Sequence, residues 1–283
     1  MVSQVVQSGA AESATDLPLL SLRGISKRFG AVQALASVDF DVYRSQVVAL
    51  VGDNGAGKST LIKIISGAEK PDEGRIEVEQ RSVSIHQPDD ASKLGIATVY
   101  QDLALCENLD VVANLHLGRE VTLPALGPLG WMNGTSMERA ARELLRGLGV
   151  NIPEVRRAVA VLSGGQRQSI AVARTLLGNT KVILLDEPTA ALGVAQTHQV
   201  LALISELRER GLGVVLVSHN LGNVFAVADR AVVLFLGRNN GVFDDLSRIS
   251  QEEIVAAITG VDSKSHNSSL EADSQGTARR RRG

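Results

Sequence analysis

The stretch Gly52-Asp53-Asn54-Gly55-Ala56-Gly57-Lys58-Ser59-Thr60 decides the fold of this 283-residue chain. It follows an uninterrupted apolar run, Val47–Val51, and leads into an apolar helical pattern that ends near Gly67. A glycine-rich loop between a buried strand and a helix lets backbone N–H groups converge on phosphate oxygens at the positive end of the helix dipole. The sequence therefore predicts a phosphate-binding P-loop.

Each position of the loop has an expected role in nucleotide binding. Lys58 would contact the β- and γ-phosphates and assist catalysis, and the Ser59 hydroxyl would hold Mg²⁺. The candidate nucleotide-binding residues of the loop are Gly52, Asp53, Asn54, Gly55, Ala56, Gly57, Lys58, Ser59 and Thr60. A phosphate cradle by itself does not distinguish a kinase, a GTPase or an ATPase.

Two carboxylates follow a second apolar run. Val182–Leu185 precedes Asp186 and Glu187, which places both acids at the carboxyl end of a buried strand, where α/β sheets bind their ligands. Asp186 is the candidate Mg²⁺ ligand, and Glu187 is the candidate that orients or deprotonates the attacking water. A base-recognition motif of the Asn-Lys-x-Asp kind is absent, which argues against a GTPase.

The remaining apolar runs predict an α/β fold with a mostly parallel sheet, because such runs are typical of strands covered on both faces. Helices are expected over Thr135–Gly149, with Thr135 and Glu138 as a capping box, and from about Ala195 to Arg210, with Gly211 as the stop signal. The predicted strands, besides Val47–Val51 and Val182–Leu185, are Ile96–Tyr100, Val214–Val217 and Ala231–Leu236. The long interval between Tyr100 and Val182 lacks a convincing strand and predicts an inserted helical subdomain at about 102–162.

Composition and charge limit the other possibilities. The chain is 44% hydrophobic, and its 29 Lys and Arg against 31 Asp and Glu give a net charge of −2, which disfavours a nucleic-acid partner. The single cysteine, Cys106, excludes an internal disulfide.

The polar ends, 1–16 and 262–283, are expected to be disordered and to leave 17–261 as the folded domain. The start of the chain lacks a secretory signal, so a cytoplasmic protein is expected, and the Pro- and Gly-rich stretch Val121–Met137 predicts a loop and not a membrane span.

Further motifs connect the chain to a known family. Leu162-Ser163-Gly164-Gly165-Gln166 resembles the signature of ATP-binding-cassette (ABC) ATPases. Gln101 within Val99–Asp102 resembles the Q-loop, His219 within Ser218–Asn220 resembles the switch histidine, and Phe29 within Lys27–Gly30 resembles the aromatic residue that stacks on adenine. These motifs occur in the family's order and span nearly all of 17–261.

The resemblance implies an ABC nucleotide-binding domain with an antiparallel β subdomain near the N-terminus, and ATP and Mg²⁺ as cofactors. It implies that Gln101 acts in catalysis and contacts Mg²⁺, and that His219 is catalytic. Ser163, Gly164, Gly165 and Gln166 would face the γ-phosphate of another subunit. Because the chain carries one P-loop and one signature, two copies are expected to pair head-to-tail, most simply as a homodimer.

Two features resemble the branch of the family that powers monosaccharide importers. Pro188-Thr189-Ala190-Ala191-Leu192 is followed by Gly193, where the family usually has an Asp in a loop that crosses the dimer interface, and the segments Val99–Leu105 and Asn114–Glu120 also resemble this branch. The branch implies integral membrane permease subunits as partners, an indirect link to a sugar-binding protein, and a position on the inner face of the cell membrane. The apolar-rich segment Leu103–Leu117 is the expected permease-facing region.

Other functions share these motifs. An ABC ATPase for a different cargo would have the same catalytic residues, and a soluble ABC protein of DNA repair or translation is a more distant alternative. No residue identifies the sugar, because no feature of this chain would contact the cargo.

Overall fold

The computed structural model describes residues 17–123 and 131–261. The expected disordered ends, 1–16 and 262–283, lie outside the described residues, as does the Pro124–Gly130 part of the predicted loop Val121–Met137. None of the described helices is long and apolar enough to cross a membrane.

Ten strands form two sheets in the part of the chain that the structure describes. In chain order they are β1 (Leu20–Phe29), β2 (Val32–Val42), β3 (Gln46–Gly52), β4 (Glu73–Val78), β5 (Arg81–Val83), β6 (Ile96–Val99), β7 (Val182–Asp186), β8 (Gly213–Val217), β9 (Arg230–Phe235) and β10 (Arg238–Phe243). One sheet has the order β2-β1-β4-β5 and is antiparallel, and the other has the order β10-β9-β3-β8-β7-β6. In the second sheet only the β9–β10 pair is antiparallel. The predicted fold class, a mostly parallel sheet with an antiparallel N-terminal sheet, is confirmed.

Eight helices cover these sheets within the described part of the chain. They are α1 (Lys58–Ile65), α2 (Pro88–Lys93), α3 (Val111–His116), α4 (Gly134–Gly147), α5 (Gly164–Thr175), α6 (Val194–Glu209), α7 (Leu221–Val227) and α8 (Gln251–Thr259). The predicted helix ending before Gly211 is confirmed, because α6 stops at Glu209 and Gly211 adopts φ +88°.

The predicted capping box of α4 is wrong. The helix begins one residue earlier, and Asn133 caps it by accepting a hydrogen bond from the backbone N–H of Ser136 at 3.0 Å. Glu138 instead forms ion pairs with Arg142 and Arg156, both at 2.8 Å. The Asn side chain reaches the free N–H groups of the first turn as well as Thr would, and the helix start at Gly134 puts Asn133 in the capping position.

The apolar core lies on both faces of the parallel sheet. Val48 and Leu50 of β3 pack with the antiparallel sheet and α1, whereas Val47 packs with the helices α3 to α6. The alternation along β3 follows from the two-residue period of a strand and fixes the P-loop at the end of a central, fully buried strand.

The interval between β6 and β7 is helical in the described residues, with α3, α4 and α5. Within the apolar-rich segment Leu103–Leu117, Val111, Val112 and Leu115 are buried in the helical core, and Leu117 is 45% exposed. The buried Asn114 holds the preceding loop, because its amide bonds the backbone N–H and C=O of Cys106 at 2.8 and 2.9 Å and the carbonyls of Leu109 and Asp110. Most of the apolar excess is therefore internal packing.

Candidate functional site

The P-loop joins β3 to α1 and has no room for a side chain at two of its glycines. Gly52 and Gly57 have φ of +152° and +105°. A Cβ on Gly52 would collide with the carbonyl oxygen of Leu234, and a Cβ on Gly57 would lie 2.7 Å from that of Ala34. Both positions therefore need glycine for space as well as for backbone conformation.

Lys58 is the buried cation of the loop. Its Nζ donates hydrogen bonds to the carbonyl oxygens of Gly52 at 2.7 Å and Asp53 at 3.0 Å. Burial lowers the pKa of the ammonium, and the charges of Glu187, Asp53 and Asp186 oppose that shift. The lysine predicted at the phosphates and the two acids predicted at the strand end therefore share one electrostatic environment.

Asp186 ends β7 and Glu187 follows it. Burial raises the pKa of the Asp186 carboxyl, the negative charge of Glu187 raises it further, and Lys58 and Lys63 oppose the shift. Glu187 adopts φ +50°, and its backbone N–H donates to the carbonyl of Val217 at 3.0 Å. A non-glycine residue in the left-handed region is strained and is typical of functional positions.

His219 meets Glu187 across the ends of two adjacent strands. Its Nδ1 lies 2.9 Å from Oε2 of Glu187, and the His219 side chain is 74% exposed, whereas that of Glu187 is 18% exposed. Because β7 and β8 are parallel neighbours, the segments that follow them emerge at the same edge of the sheet. The imidazole therefore holds one oxygen of the Glu187 carboxylate, while the imidazole ring itself stays largely open to solvent.

The signature opens helix α5. Ser163 caps the helix: its Oγ accepts from the Gln166 N–H at 3.2 Å, and the Gln166 side-chain oxygen accepts from the Ser163 N–H at 3.1 Å. The hydroxyl proton of Ser163 is not used in this capping box, and it can be donated to an anion. The Cβ of any residue at Gly164 would meet Leu192 at 2.8 Å, so this glycine lets the segment after Glu187 pack closely against the helix start.

Gln101 follows β6, and Phe29 is the last residue of β1. Gln101 is exposed and lines a cavity together with Glu187 and Gly164. Phe29 ends β1, is 45% exposed, and has the Nζ of Lys27 5.4 Å from its ring centroid. Sequence reasoning missed this cation, which the two-residue strand period places on the same side of the strand as the ring.

The oxygen-donor set fits Mg²⁺. Ser59, Asp186 and Gln101 offer a hydroxyl, a carboxylate and an amide oxygen, the hard ligands that Mg²⁺ prefers when phosphates complete its shell. Burial first, and then the negative charge of Glu187, raises the pKa of Asp186, and a bound cation would oppose both effects. No group of three His, Cys, Asp or Glu side chains able to hold a metal occurs in 17–123 or 131–261, so a site built by protein carboxylates and imidazoles alone is not indicated there.

Comparison with known proteins decides the family. The sequence profile of the family described as "ABC transporter" matches residues 35–190. The chain belongs to the ABC transporter family. This cassette is 46% identical over 248 residues to the fructose import ATP-binding protein FrcA of Rhizobium meliloti. The match covers 86% of this chain and 94% of that protein.

Other relatives of the cassette carry similar names. The xylose/arabinose import ATP-binding protein XylG of Sulfolobus acidocaldarius is 47% identical over 78% of the chain and 86% of its own length. The ribose import ATP-binding protein RbsA 1 of Rubrobacter xylanophilus is 43% identical, and the match spans 47% of that longer protein. Among solved structures, the ADP conformation of the ATP-binding cassette MJ1267 aligns with TM-score 0.73 and 29% identity over 88% of this chain and 96% of that one.

A dimer is also represented among the solved structures. The post-hydrolysis dimer of the ATP-binding cassette MJ0796, bound to ADP and Pi, aligns with TM-score 0.66 and 27% identity over 80% of this chain and 98% of that one. Gly193, the departure from the family's usual Asp, caps helix α6, and no atom lies within 4 Å of where its Cβ would be. The fold therefore has room for the Asp that the sequence lacks.

We expect Asp186→Asn to stabilise the nucleotide-free protein at neutral pH. The pKa of Asp186 is raised in the fold, so its negative charge lowers the free energy of unfolding. This loss is absent below the unfolded-state pKa of about 3.9 and is complete above the folded-state pKa. The gain in melting temperature should therefore be larger at pH 7.5 than at pH 4, measured in EDTA. Glu209→Gln, at an exposed helical position with no ion pair among the described residues, is the control. An equal gain at both pH values would contradict the prediction.

Proposed function

We propose that this cassette binds ATP with Mg²⁺ and hydrolyses it as the energising subunit of a monosaccharide importer, docked on permease subunits at the inner face of the cell membrane. The observation that carries the cargo class is the 46% identity to a fructose import ATP-binding protein across 94% of that protein's length. The xylose/arabinose and ribose import relatives support the same class. An ABC ATPase for another cargo is the alternative.

The P-loop residues would bind the nucleotide phosphates. The Lys58 ammonium donates to two carbonyls of its own loop and is therefore already oriented and partly desolvated. The γ-phosphate would replace some of these hydrogen bonds. Ser59, Asp186 and Gln101 would hold Mg²⁺, which neutralises charge on the phosphates and orients them. Phe29, exposed at the end of β1, would stack on adenine.

The contact between Glu187 and His219 supports a division of labour at the γ-phosphate. Glu187 would accept a proton from, or orient, the attacking water through the carboxylate oxygen that His219 does not bind. His219, with an exposed ring, would donate toward the γ-phosphate oxygens. Hydrolysis of ATP to ADP and phosphate then depends mainly on positioning and on charge neutralisation.

We expect Glu187→Gln to bind ATP normally and to lose hydrolysis by about 10²-fold or more, the scale of a lost general base. The amide keeps the size of the side chain but cannot accept the proton. Lys58→Ala should instead weaken nucleotide binding, because the buried cation is lost. The measurements are steady-state ATP turnover and nucleotide titration. Unchanged turnover in Glu187→Gln would remove Glu187 from the mechanism.

An active site shared between two copies of the chain leads to a second prediction. The chain has one P-loop and one signature, so Lys58→Ala and Ser163→Arg should each be inactive as homodimers. In mixtures, some heterodimers carry both lesions in one composite site and none in the other, so partial turnover should return. If wild-type turnover stays strictly proportional to protein concentration down to nanomolar levels, the shared site is wrong.

The cargo proposal predicts a transport defect. A strain lacking this chain should lose uptake of at least one labelled monosaccharide among fructose, xylose and ribose, and the wild-type gene should restore it while Glu187→Gln should not. Uptake of a labelled amino acid serves as the control. Normal pentose and hexose uptake, with no other cassette able to substitute, would discard the sugar assignment.

A further inference from the structure

Lys27 lies beside the candidate adenine-stacking ring and has no role in the function derived above. The Lys27 side chain is 13% exposed, and its Nζ lies 5.4 Å from the ring centroid of Phe29, which is 45% exposed. A cation within about 6 Å of an aromatic centroid is attracted to the negative face of the ring. The ammonium therefore occupies one face of the ring, and the ring keeps surface that is open to a ligand.

Oxygen atoms of one short segment hold the ammonium in this position. The Lys27 Nζ donates to the carbonyl oxygen of Lys70 at 2.7 Å, and it lies 3.2 Å from Oδ1 of Asp72 and 3.8 Å from Oε2 of Glu69. A free lysine side chain samples many rotamers, and fixing it costs conformational entropy. Three oxygens around one ammonium restrict it to the place beside the ring.

Asp72 joins this segment to the end of β1. Its Oδ2 accepts a hydrogen bond from the backbone N–H of Arg28 at 2.7 Å, and its own backbone N–H donates to the carbonyl of Ser26 at 2.9 Å. The hydrogen bond from Arg28, and next the one from Lys27, lower the pKa of the Asp72 carboxyl, so the carboxylate is charged at neutral pH. Asp72 therefore bonds β1 on both sides of Lys27.

The same segment continues from the helix that starts at the P-loop. Helix α1 begins at the P-loop lysine, and the backbone N–H of Glu69 donates to the carbonyl of Lys63 in the last turn of this helix at 3.1 Å. The Phe29 ring is thus connected to the phosphate-binding loop through α1 and the oxygens that hold Lys27. A base on the ring and phosphates at the P-loop would have a fixed separation, as the two ends of one nucleotide require.

A cation on one face of Phe29 changes how the ring stacks. The faces of aromatic rings carry the negative part of the quadrupole, so two rings repel each other when they stack face to face. The Lys27 ammonium attracts this electron density and makes the opposite face of the ring less negative. Stacking of an electron-rich purine on the open face is therefore favoured, and the effect concerns the base and not the phosphates.

We propose that Lys27 is a positioning residue for adenine, which fixes the Phe29 ring and lowers the electron density of the face on which the base stacks. This inference deepens the proposed function and rests on the adenine contact of Phe29. It gives Lys27, and through Asp72 the segment after α1, a part in selecting the nucleobase.

Kinetics with and without a base test this proposal. Lys27→Met removes the charge and keeps the length of the side chain, so the KM for ATP should rise about fivefold, equivalent to about 1 kcal/mol, with a much smaller change in kcat. Lys27→Arg keeps a cation beside the ring and should restore most of the affinity. The Ki of inorganic triphosphate, which has no base, should be the same in Lys27→Met and wild type. The KM for UTP should rise less than that for ATP, because a pyrimidine stacks over a smaller area.

The matched control is Lys70→Met, the same substitution in the same segment, at an exposed side chain with no ion pair among the described residues. The variant keeps the carbonyl that binds Lys27 and should have the wild-type KM for ATP. A rise in KM equal to that of Lys27→Met would indicate a general effect of positive charge and would overturn the proposal. An unchanged KM in Lys27→Met, or an equal loss of affinity for ATP and inorganic triphosphate, would also overturn it.

A double-mutant cycle separates this inference from the adenine contact itself. In the Phe29→Leu background, Lys27→Met should not raise the KM for ATP further, because the ring through which Lys27 acts is absent. Additive effects would overturn the role of Lys27 and leave the contact of Phe29 with adenine in place. A wild-type KM in Phe29→Leu alone would contradict the adenine contact of the proposed function, and the role of Lys27 would fail with it. Because KM does not depend on the amount of folded enzyme, partial unfolding of a variant does not produce these outcomes.

Discussion

The site depends on the hydrogen bonds that hold the buried ammonium of Lys58. The ammonium is held by carbonyls of Gly52 and Asp53 while sharing an electrostatic environment with the acids after β7. A buried cation is costly unless polar groups and opposite charges surround it. Two elements distant in sequence, the P-loop and the β7 end, must therefore lie side by side, and the parallel sheet that connects them provides this arrangement.

The sheet order also explains the strain at Glu187. The carboxyl ends of β7 and β8 meet at one edge, so the chain must turn sharply after Asp186 for the carboxylate to reach His219. The left-handed backbone at Glu187 and its hydrogen bond to Val217 hold that turn. Preorganised geometry of this kind reduces the reorganisation needed when charge develops during phosphoryl transfer.

Helix α5 joins the signature to the segment that follows Gln101. Ser163 caps the start of the helix with the capping box that would face a second cassette. Near the end of the helix, Arg174 donates hydrogen bonds to the segment that follows Gln101. Arg167, between them, pairs with Glu107 of the same segment at 3.2 Å. The helix that carries the signature at its start therefore contacts the segment after Gln101 through two of its arginines.

The sequence by itself determined the P-loop, the carboxylates after the apolar strand and the signature, because each is a local pattern whose chemistry depends on neighbouring residues. It also determined five of the six strands of the mostly parallel sheet and the end of α6, where apolar runs and a glycine stop signal are strong local signals. Capping of α4 was mispredicted, since Asn133 and Thr135 are both adequate caps and only the observed helix start decides between them. The contact of Glu187 with His219, the cation beside Phe29 and the hydrogen bonds of Arg174 to the segment after Gln101 were decided by the tertiary structure. The partners come from different elements of the fold, except for Lys27 and Phe29, whose contact depends on how β1 orients its side chains. The distance between such side chains is set by packing and not by their spacing along the chain.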